Sequence, residues 1–285
     1  MSSLPSGRPR PVVYAHRGGA ALRPENTIAS FDYGLSLGAD GLELDVHLSR
    51  DGVVVVHHDA TLERTTNGRG RIADVTADEL ARLDAGHWFT PSGVSPKPDA
   101  DAASFPFRGK GHAVPRLRQV LTRYPGVPLI IELKVNDPEL ARRAIDEVRA
   151  AGAVERVALG SFGWRVLRAA RAYEPRIPTG ASREEVRLAL YRSWLRWPIR
   201  STAYRELQVP ERSGPTRITS RRFIAHAHRA GVAVKVWTVN DPADMHRLLD
   251  WGVDGLISDR PDLAVAAVAA HPGVRPGSDP DSGAR

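Results

Sequence analysis

Gly41-Leu-Glu-Leu-Asp-Val-His-Leu48, then Ser49-Arg-Asp-Gly52, then Val53-Val-Val-Val-His-His-Asp59 is the stretch whose reading decides the fold. Residues 42–48 alternate, so Glu43, Asp45 and His47 share one face of a strand and Leu44, Val46 and Leu48 the other. Asp51-Gly52 is a two-residue hairpin signal, and the apolar run 53–56 leads straight into His57-His58-Asp59. Such a hairpin returns His58 to about the level of Glu43 and Asp45, while His57, one residue away, faces elsewhere in a packing or surface role.

Outward from this stretch the chain alternates strand and helix. Strands are predicted over 12–15, 129–133, 157–161, 178–181, 204–209, 232–239 and 253–258. Helices are predicted from Pro24-Glu25-Asn26 to about Leu37, over 138–151 behind Asn136/Asp137 caps, over 164–172, up to about Leu195, and over 220–230, 242–251 and 261–270. Repeated βα units imply a parallel sheet, and about eight of them a closed barrel. The fold class is therefore α/β, a TIM (β/α)8 barrel with an insertion after the second/third strand region. The candidate strands exceed the barrel's places by one, which the hairpin explains, because a tight turn joins antiparallel strands and one arm must lie outside the regular repeat.

The predicted layout is a disordered N-terminal segment over 1–11, one TIM-barrel domain over 12–271, and a disordered Pro/Gly/Ser/Asp tail over 272–285. Residues 60–115 are broken by Asn67-Gly68, Gly70, Pro91, Pro96, Pro98, Pro106 and Gly109, with helical character only over 77–83, and read as an insertion. The chain has 285 residues, no cysteine, a formal charge of +7 and a pI near 10.1. Cysteine-ligated metals and disulfides are excluded. No apolar run reaches the length of a spanning helix, and 1–11 lack a signal-peptide core, so the expected location is cytoplasmic. The basic charge favours phosphorylated small molecules or anionic lipid. No nucleic-acid-binding motif accompanies it, and nucleic acid is not an expected partner.

Barrel catalysis uses groups at strand C-terminal ends. His16-Arg17 ends the first strand, Glu43 and Asp45 lie late in the second, and Glu132 and Lys134 end the 129–133 strand and share a face. Three carboxylates directed at one point repel each other without a cation, and an all-oxygen set suits one hard divalent ion, Mg²⁺ or Ca²⁺. Two histidines, His16 and His58, can divide general-base and general-acid work. His47 shares the Glu43/Asp45 face nearer the turn and is expected to be structural.

His16-Arg17-Gly18, Pro24-Glu25-Asn26-Thr27, Gly41-Leu-Glu43-Leu-Asp45-Val46, Asp51-Gly52, His58-Asp59 with Leu62, Arg64 and Thr65, and Glu132-Leu-Lys134 resemble, in order and spacing, the glycerophosphodiester phosphodiesterase family. Val236-Trp-Thr-Val-Asn240 and Gly252-Val-Asp-Gly-Leu-Ile-Ser-Asp259 carry the resemblance toward the C-terminus. It implies a metal-dependent barrel enzyme that splits a glycerophosphodiester into an alcohol and sn-glycerol 3-phosphate. Glu43, Asp45 and Glu132 then correspond to metal ligands, His16 and His58 to the catalytic pair, and Arg17 and Lys134 to phosphate-facing cations. Trp237 corresponds to a tryptophan near the substrate, with a place in the barrel core as the alternative.

Two regions depart from the compact pattern. The insertion from about Asp84 to Pro115 is long, and Pro115-Arg-Leu-Arg-Gln119 stands where an acidic Pro-Thr-Leu-Glu-Glu is common in the family. Residues 187–200 interleave Tyr191, Trp194, Trp197 and Ile199 with Arg187, Arg192, Arg196 and Arg200, which suits peripheral contact with an anionic membrane or, alternatively, aromatic core packing. These features point to an alternative substrate, a lysophospholipid cleaved in the manner of lysophospholipase D to lysophosphatidic acid. A catalytically silent barrel that binds phosphodiesters or membranes is the third reading, and the intact histidines and carboxylates argue against it.

Overall fold

A computed structural model describes residues 9–91, 105–198 and 202–272. The expected disorder of both termini therefore falls almost wholly outside the described residues, as do 92–104 of the insertion and Ile199 and Arg200 of the aromatic-basic segment.

The barrel strands are β1 (Val12–His16), β2 (Gly41–Leu48), β4 (Leu129–Leu133), β5 (Val157–Gly160), β6 (Glu206–Pro210), β9 (Ala233–Trp237) and β10 (Gly255–Ser258), with β3 (Val54–Val56) beside β2. Their order is β5-β4-β2-β1-β10-β9-β6, and every neighbouring pair along it is parallel. The remaining gap, between β5 and β6, is bridged by parallel pairs Leu159–Thr179 and Gly180–Glu206. The strand expected over 178–181 is thus reduced to single bridges on either side. Pro178 has no N–H to give, and a segment so short cannot continue a ladder. It nevertheless takes the eighth place and nearly closes the barrel.

β2 divides one edge between two partners. Leu42 to Val46 pair with β4, and Val46 to Leu48 pair antiparallel with β3. The outer end of β2 thus leaves the barrel and carries the hairpin, which is the extra arm the sequence implies. The His57 N–H closes it, donating to the Asp45 carbonyl at 2.9 Å.

The helices packed around the sheet include α1 (Ile28–Ser36), α3 (Leu117–Arg123), α4 (Pro138–Ala150), α5 (Trp164–Tyr173), α6 (Arg183–Leu195), α7 (Arg221–Arg229), α8 (Pro242–Trp251) and α9 (Pro261–Ala270). α1 starts later than expected. Asn26 takes a left-handed φ of 57°, and Thr27 caps the helix by accepting from the Ser30 N–H. α3 has no Ser, Thr, Asp or Asn at its cap. The Gln119 side chain reaches back to the Arg116 N–H instead, so sequence reading finds no start signal there. A small hairpin, β7 (Arg212–Ser213) with β8 (Thr216–Arg217), follows β6.

The strand pleat sorts the residues. Ala15, Leu42, Leu44, Val46, Ile131 and Leu133 face the helices in the main core, while Tyr14, Ile130, Ala158 and Ile257 pack inside the barrel with Val12 and Trp237 against them. Lower in the interior, Lys235 forms an ion pair with Glu206 and lies 3.4 Å from the Tyr14 hydroxyl, so the buried charge is compensated. Within the insertion, the short helix α2 (Ala77–Leu80) and a turn at Ile72–Asp74 contribute to a second small core with Val55, Leu62, Ala85 and Val114.

Candidate active site

The end of β1 fixes the first pair of functional groups. Arg17 takes φ 51° and Gly18 φ 88°, and a Cβ on Gly18 would stand 2.4 Å from Ser30 Oγ, so only glycine fits where the chain turns against α1. In this turn the Arg17 N–H donates to the Glu43 carbonyl at 2.9 Å, which locks the end of β1 to β2.

His16 Nδ1 lies 2.6 Å from Asp259 Oδ1. An ionised carboxylate only accepts, so Nδ1 carries the proton and Nε2 faces the interior, 3.8 Å from Glu43 Oε2. Asp259 is itself held by the Asn240 side chain, whose Nδ2 donates to Oδ2 at 2.8 Å and whose Oδ1 accepts from the Asp259 N–H at 2.9 Å. Burial works against a charged His16, but Glu43 and the Asp259 hydrogen bond outweigh it and raise its pKa above the ordinary 6.5.

His58 repeats the arrangement. Its Nδ1 lies 2.5 Å from Asp59 Oδ1, and Arg64 donates from Nε to the other Asp59 oxygen at 2.5 Å. Arg64 also donates twice to Glu25, at 2.7 and 2.8 Å, and Glu25 accepts from Arg17 Nη1 at 3.0 Å. Despite its burial, the arginines hold the Glu25 carboxyl at about 2. His47 Nε2 meets the His58 carbonyl at 3.0 Å, so it braces the backbone of His58, in keeping with a structural role. His57 is buried, and among the described residues its Nε2 finds no hydrogen-bond partner.

Between the two histidines lie Glu43, Asp45 and Glu132, with one oxygen of each within 4.8 Å of the others. Burial and the repulsion of Asp45 push Glu43 up to about 8. Asp45 goes the other way. Its burial opposes ionisation, but Arg17 Nε at 3.1 Å, Lys134 Nζ at 3.3 Å and the Asn26 amide at 2.9 Å hold it below the usual carboxylate range. Glu132 is raised by burial, against the pull of Lys134 at 3.1 Å. The Lys134 contacts have ion-pair distances, yet Asp45 Oδ1 and Glu132 Oε1 accept no well-directed hydrogen bond among the described residues. Buried oxygens so poorly satisfied, in an all-carboxylate set, fit a hard divalent cation. The cluster can hold a metal.

Every sequence-predicted site residue except Asp45, which lies buried beneath, lines one cleft of about 570 Å³: His16, Arg17, Glu43, His58, Glu132, Lys134 and Trp237. Trp237 packs on the apolar interior and also forms the cleft wall edge-to-face with Phe162, 5.8 Å between centroids. Asp259, Glu25, Asn26, Asp59, Arg64 and Asn240 hold the site together without a role legible from the sequence. The available signal was position, because Asp259 directly follows β10 just as Arg17 follows β1.

A model of the Glycerophosphoryl diester phosphodiesterase family matches residues 16–263. A glycerophosphodiester phosphodiesterase of Caldanaerobacter subterraneus subsp. tengcongensis is 30% identical over 90% of this chain and 97% of its own length. The crystal structure of a glycerophosphodiester phosphodiesterase from Agrobacterium tumefaciens is 30% identical, with a TM-score of 0.69 over 90% of this chain and 99% of that one. A phosphodiesterase of Oleispira antarctica, solved in complex with its product sn-glycerol-3-phosphate, is 26% identical, with a TM-score of 0.70 over 92% of this chain and 98% of that one.

Proposed function

The chain belongs to the glycerophosphoryl diester phosphodiesterase family and is a phosphoric diester hydrolase, and from that premise we propose that it splits glycerophosphodiesters into an alcohol and sn-glycerol 3-phosphate. One observation carries the reading: two carboxylate-tethered imidazoles open onto the same cleft as Glu43 and Glu132, which cluster with the buried Asp45 beneath it.

A phosphodiester anion resists nucleophiles until its charge is compensated. Glu43, Asp45 and Glu132 would hold a divalent cation, Mg²⁺ or Ca²⁺, which supplies charge neutralisation and polarises the phosphoryl oxygen when bound. Arg17 and Lys134 face the same cleft and are pre-positioned by Glu25, Asp45 and Glu132, so they meet the phosphate without reorganising. His16 and His58 present Nε2 to the cleft because Asp259 and Asp59 occupy Nδ1. One takes the proton from the attacking oxygen, that of water or of the glycerol hydroxyl next to the ester, whose cyclic phosphate water then opens, as the new P–O bond forms. The other delivers a proton to the leaving alkoxide as the second P–O bond breaks.

The test is incubation with glycerophosphocholine in the presence of Mg²⁺, Ca²⁺ or EDTA, with the phosphorylated product identified. Glycerol phosphate appearing only with the cation is the expected result. No cleavage would refute the reading, and cleavage unaffected by EDTA would refute the ligand role of the carboxylates.

A second reading, cleavage of lysophospholipids to lysophosphatidic acid, draws support from the apolar lip of the cleft. Phe162 there is 44% exposed beside Trp237, Val186 and Ile218, a surface suited to an acyl chain. Lysophosphatidylcholine in the same assay separates the two, because lysophosphatidic acid is then the product.

A further inference from the structure

α6 has two sides. Ala189, Leu190 and Ser193 are buried against the barrel. On the opposite side Leu188, Tyr191, Trp194 and Leu195, with Trp197 just beyond, are 47–61% exposed. The 3.6-residue period puts the four helical residues on one stripe. This excludes aromatic core packing as their purpose. It also leaves a contiguous apolar surface of the kind that marks an interaction site.

Tyr191 and Trp194 stack edge-to-face at 5.5 Å. Arg196 takes a left-handed φ of 57°, and the Trp197 N–H folds back to the Arg192 carbonyl at 2.9 Å, which fixes the last tryptophan.

Charge decides what such a face fits. Arg183, Arg187, Arg192 and Arg196 flank it, and none makes an ion pair with a carboxylate among the described residues. The acids of this helix are Glu184 and Glu185, and Glu185 is already paired with Arg171 at 2.7 Å. α7 packs beside α6 and adds Arg221, Arg222 and Arg229 with no acid of its own. A second copy of the chain would bring the same cations to face these, so self-pairing lacks charge complementarity. A bilayer supplies the complement, since aromatic rings seat at the headgroup level, arginines reach the phosphates, and anionic lipid neutralises them.

We propose that the outward face of α6, centred on Tyr191, Trp194 and Leu195, docks the protein on an anionic lipid bilayer. The first turn of the same helix, through Arg183, Val186 and Arg187, lines the candidate active-site cleft. Arg187 and Leu195 lie about 12 Å apart along the axis. With α6 flat on the membrane, the cleft lip at Phe162 therefore opens at the lipid surface. Docking stands whichever phosphodiester the cleft accepts.

Flotation of the full chain with vesicles of phosphatidylcholine alone, or with phosphatidylglycerol added, tests this. Capture is expected with phosphatidylglycerol at low salt and is expected to fall as salt screens the arginines. Tyr191→Ser/Trp194→Ser/Leu195→Ser, all at exposed positions, should weaken capture more than about tenfold and leave hydrolysis of soluble glycerophosphocholine unchanged. Three outcomes would overturn the proposal: no capture by the anionic vesicles, undiminished capture of the triple variant, or light scattering that shows a dimer which the triple variant dissociates. Failure to hydrolyse glycerophosphocholine would bear on the proposed function alone, because flotation reads docking without turnover.

Discussion

Asp259 Oδ1 lies 2.6 Å from Nδ1 of His16, a residue 243 positions earlier in the chain. The contact exists because β1 and β10 are neighbours in the barrel and both end at the same rim. It sets the tautomer of His16 and raises its pKa. Asp259→Asn keeps the shape but removes the charge. The expected result is a fall in kcat of about 10²–10⁴-fold, together with a shift of the His16 limb of the kcat/KM–pH profile to lower pH. A variant with reduced rate and an unmoved profile would show that Asp259 acts only as a structural support.

Glu25 joins the two halves of the site, accepting from Arg17 and from Arg64, which in turn orients Asp59 and His58. Glu25→Gln takes one carboxylate partner from each arginine, leaving Arg17 with Asp45 and Arg64 with Asp59, and loosens the groups they place. Activity should fall by about 10–100-fold, with the circular dichroism spectrum unchanged. Wild-type turnover would show that the arginines hold their positions through Asp45 and Asp59 alone.

The carboxylate trio makes cation binding depend on pH. Glu43 keeps its proton up to about 8, so a divalent ion that takes Glu43 as a ligand must expel that proton. Affinity should rise as pH climbs toward 8, and calorimetry in buffers of different ionisation enthalpy should detect proton release near neutrality. Glu43→Gln should abolish the released proton and weaken binding. If the wild type binds without releasing protons, Glu43 is not a ligand.

Much of this site is legible in the sequence, for a physical reason. Alternation over 41–48 fixes which side of β2 carries Glu43 and Asp45, and Asp51-Gly52 marks where the chain doubles back toward His58, although Ser49 faces Val53 and the turn therefore spans Arg50-Asp51-Gly52 rather than the two residues expected. Asp259 is not legible as a partner, since only barrel closure brings it to His16. The 178–181 segment is overestimated because its propensity does not reveal that so short a stretch forms only one bridge on each side, Leu159–Thr179 and Gly180–Glu206. α6 is ambiguous for another reason. Tyr191 and Trp194 at helical spacing suit a core or a surface equally, and only Ala189, Leu190 and Ser193 facing inward decide between them.

His57 offers a test of stability rather than activity. Burial, with the nearby His47 adding to it, pushes its pKa down from 6.5 to about 4, so the folded protein holds it neutral while the unfolded chain protonates it below 6.5. Between these limits the unfolded state binds more protons, and stability rises with pH. The contribution is complete above 6.5 and is lost as pH falls through about 4, amounting to about 3 kcal/mol. His57→Phe keeps a planar ring, though a larger one, and removes the titration, and among the described residues the Nε2 it deletes has no hydrogen-bond partner. Urea melts of metal-free protein at a series of pH values should show the variant losing about 3 kcal/mol less than the wild type between pH 6.5 and 4. Parallel curves would mean that the imidazole accepts its proton in the folded state, through a local opening of the hairpin that carries His58.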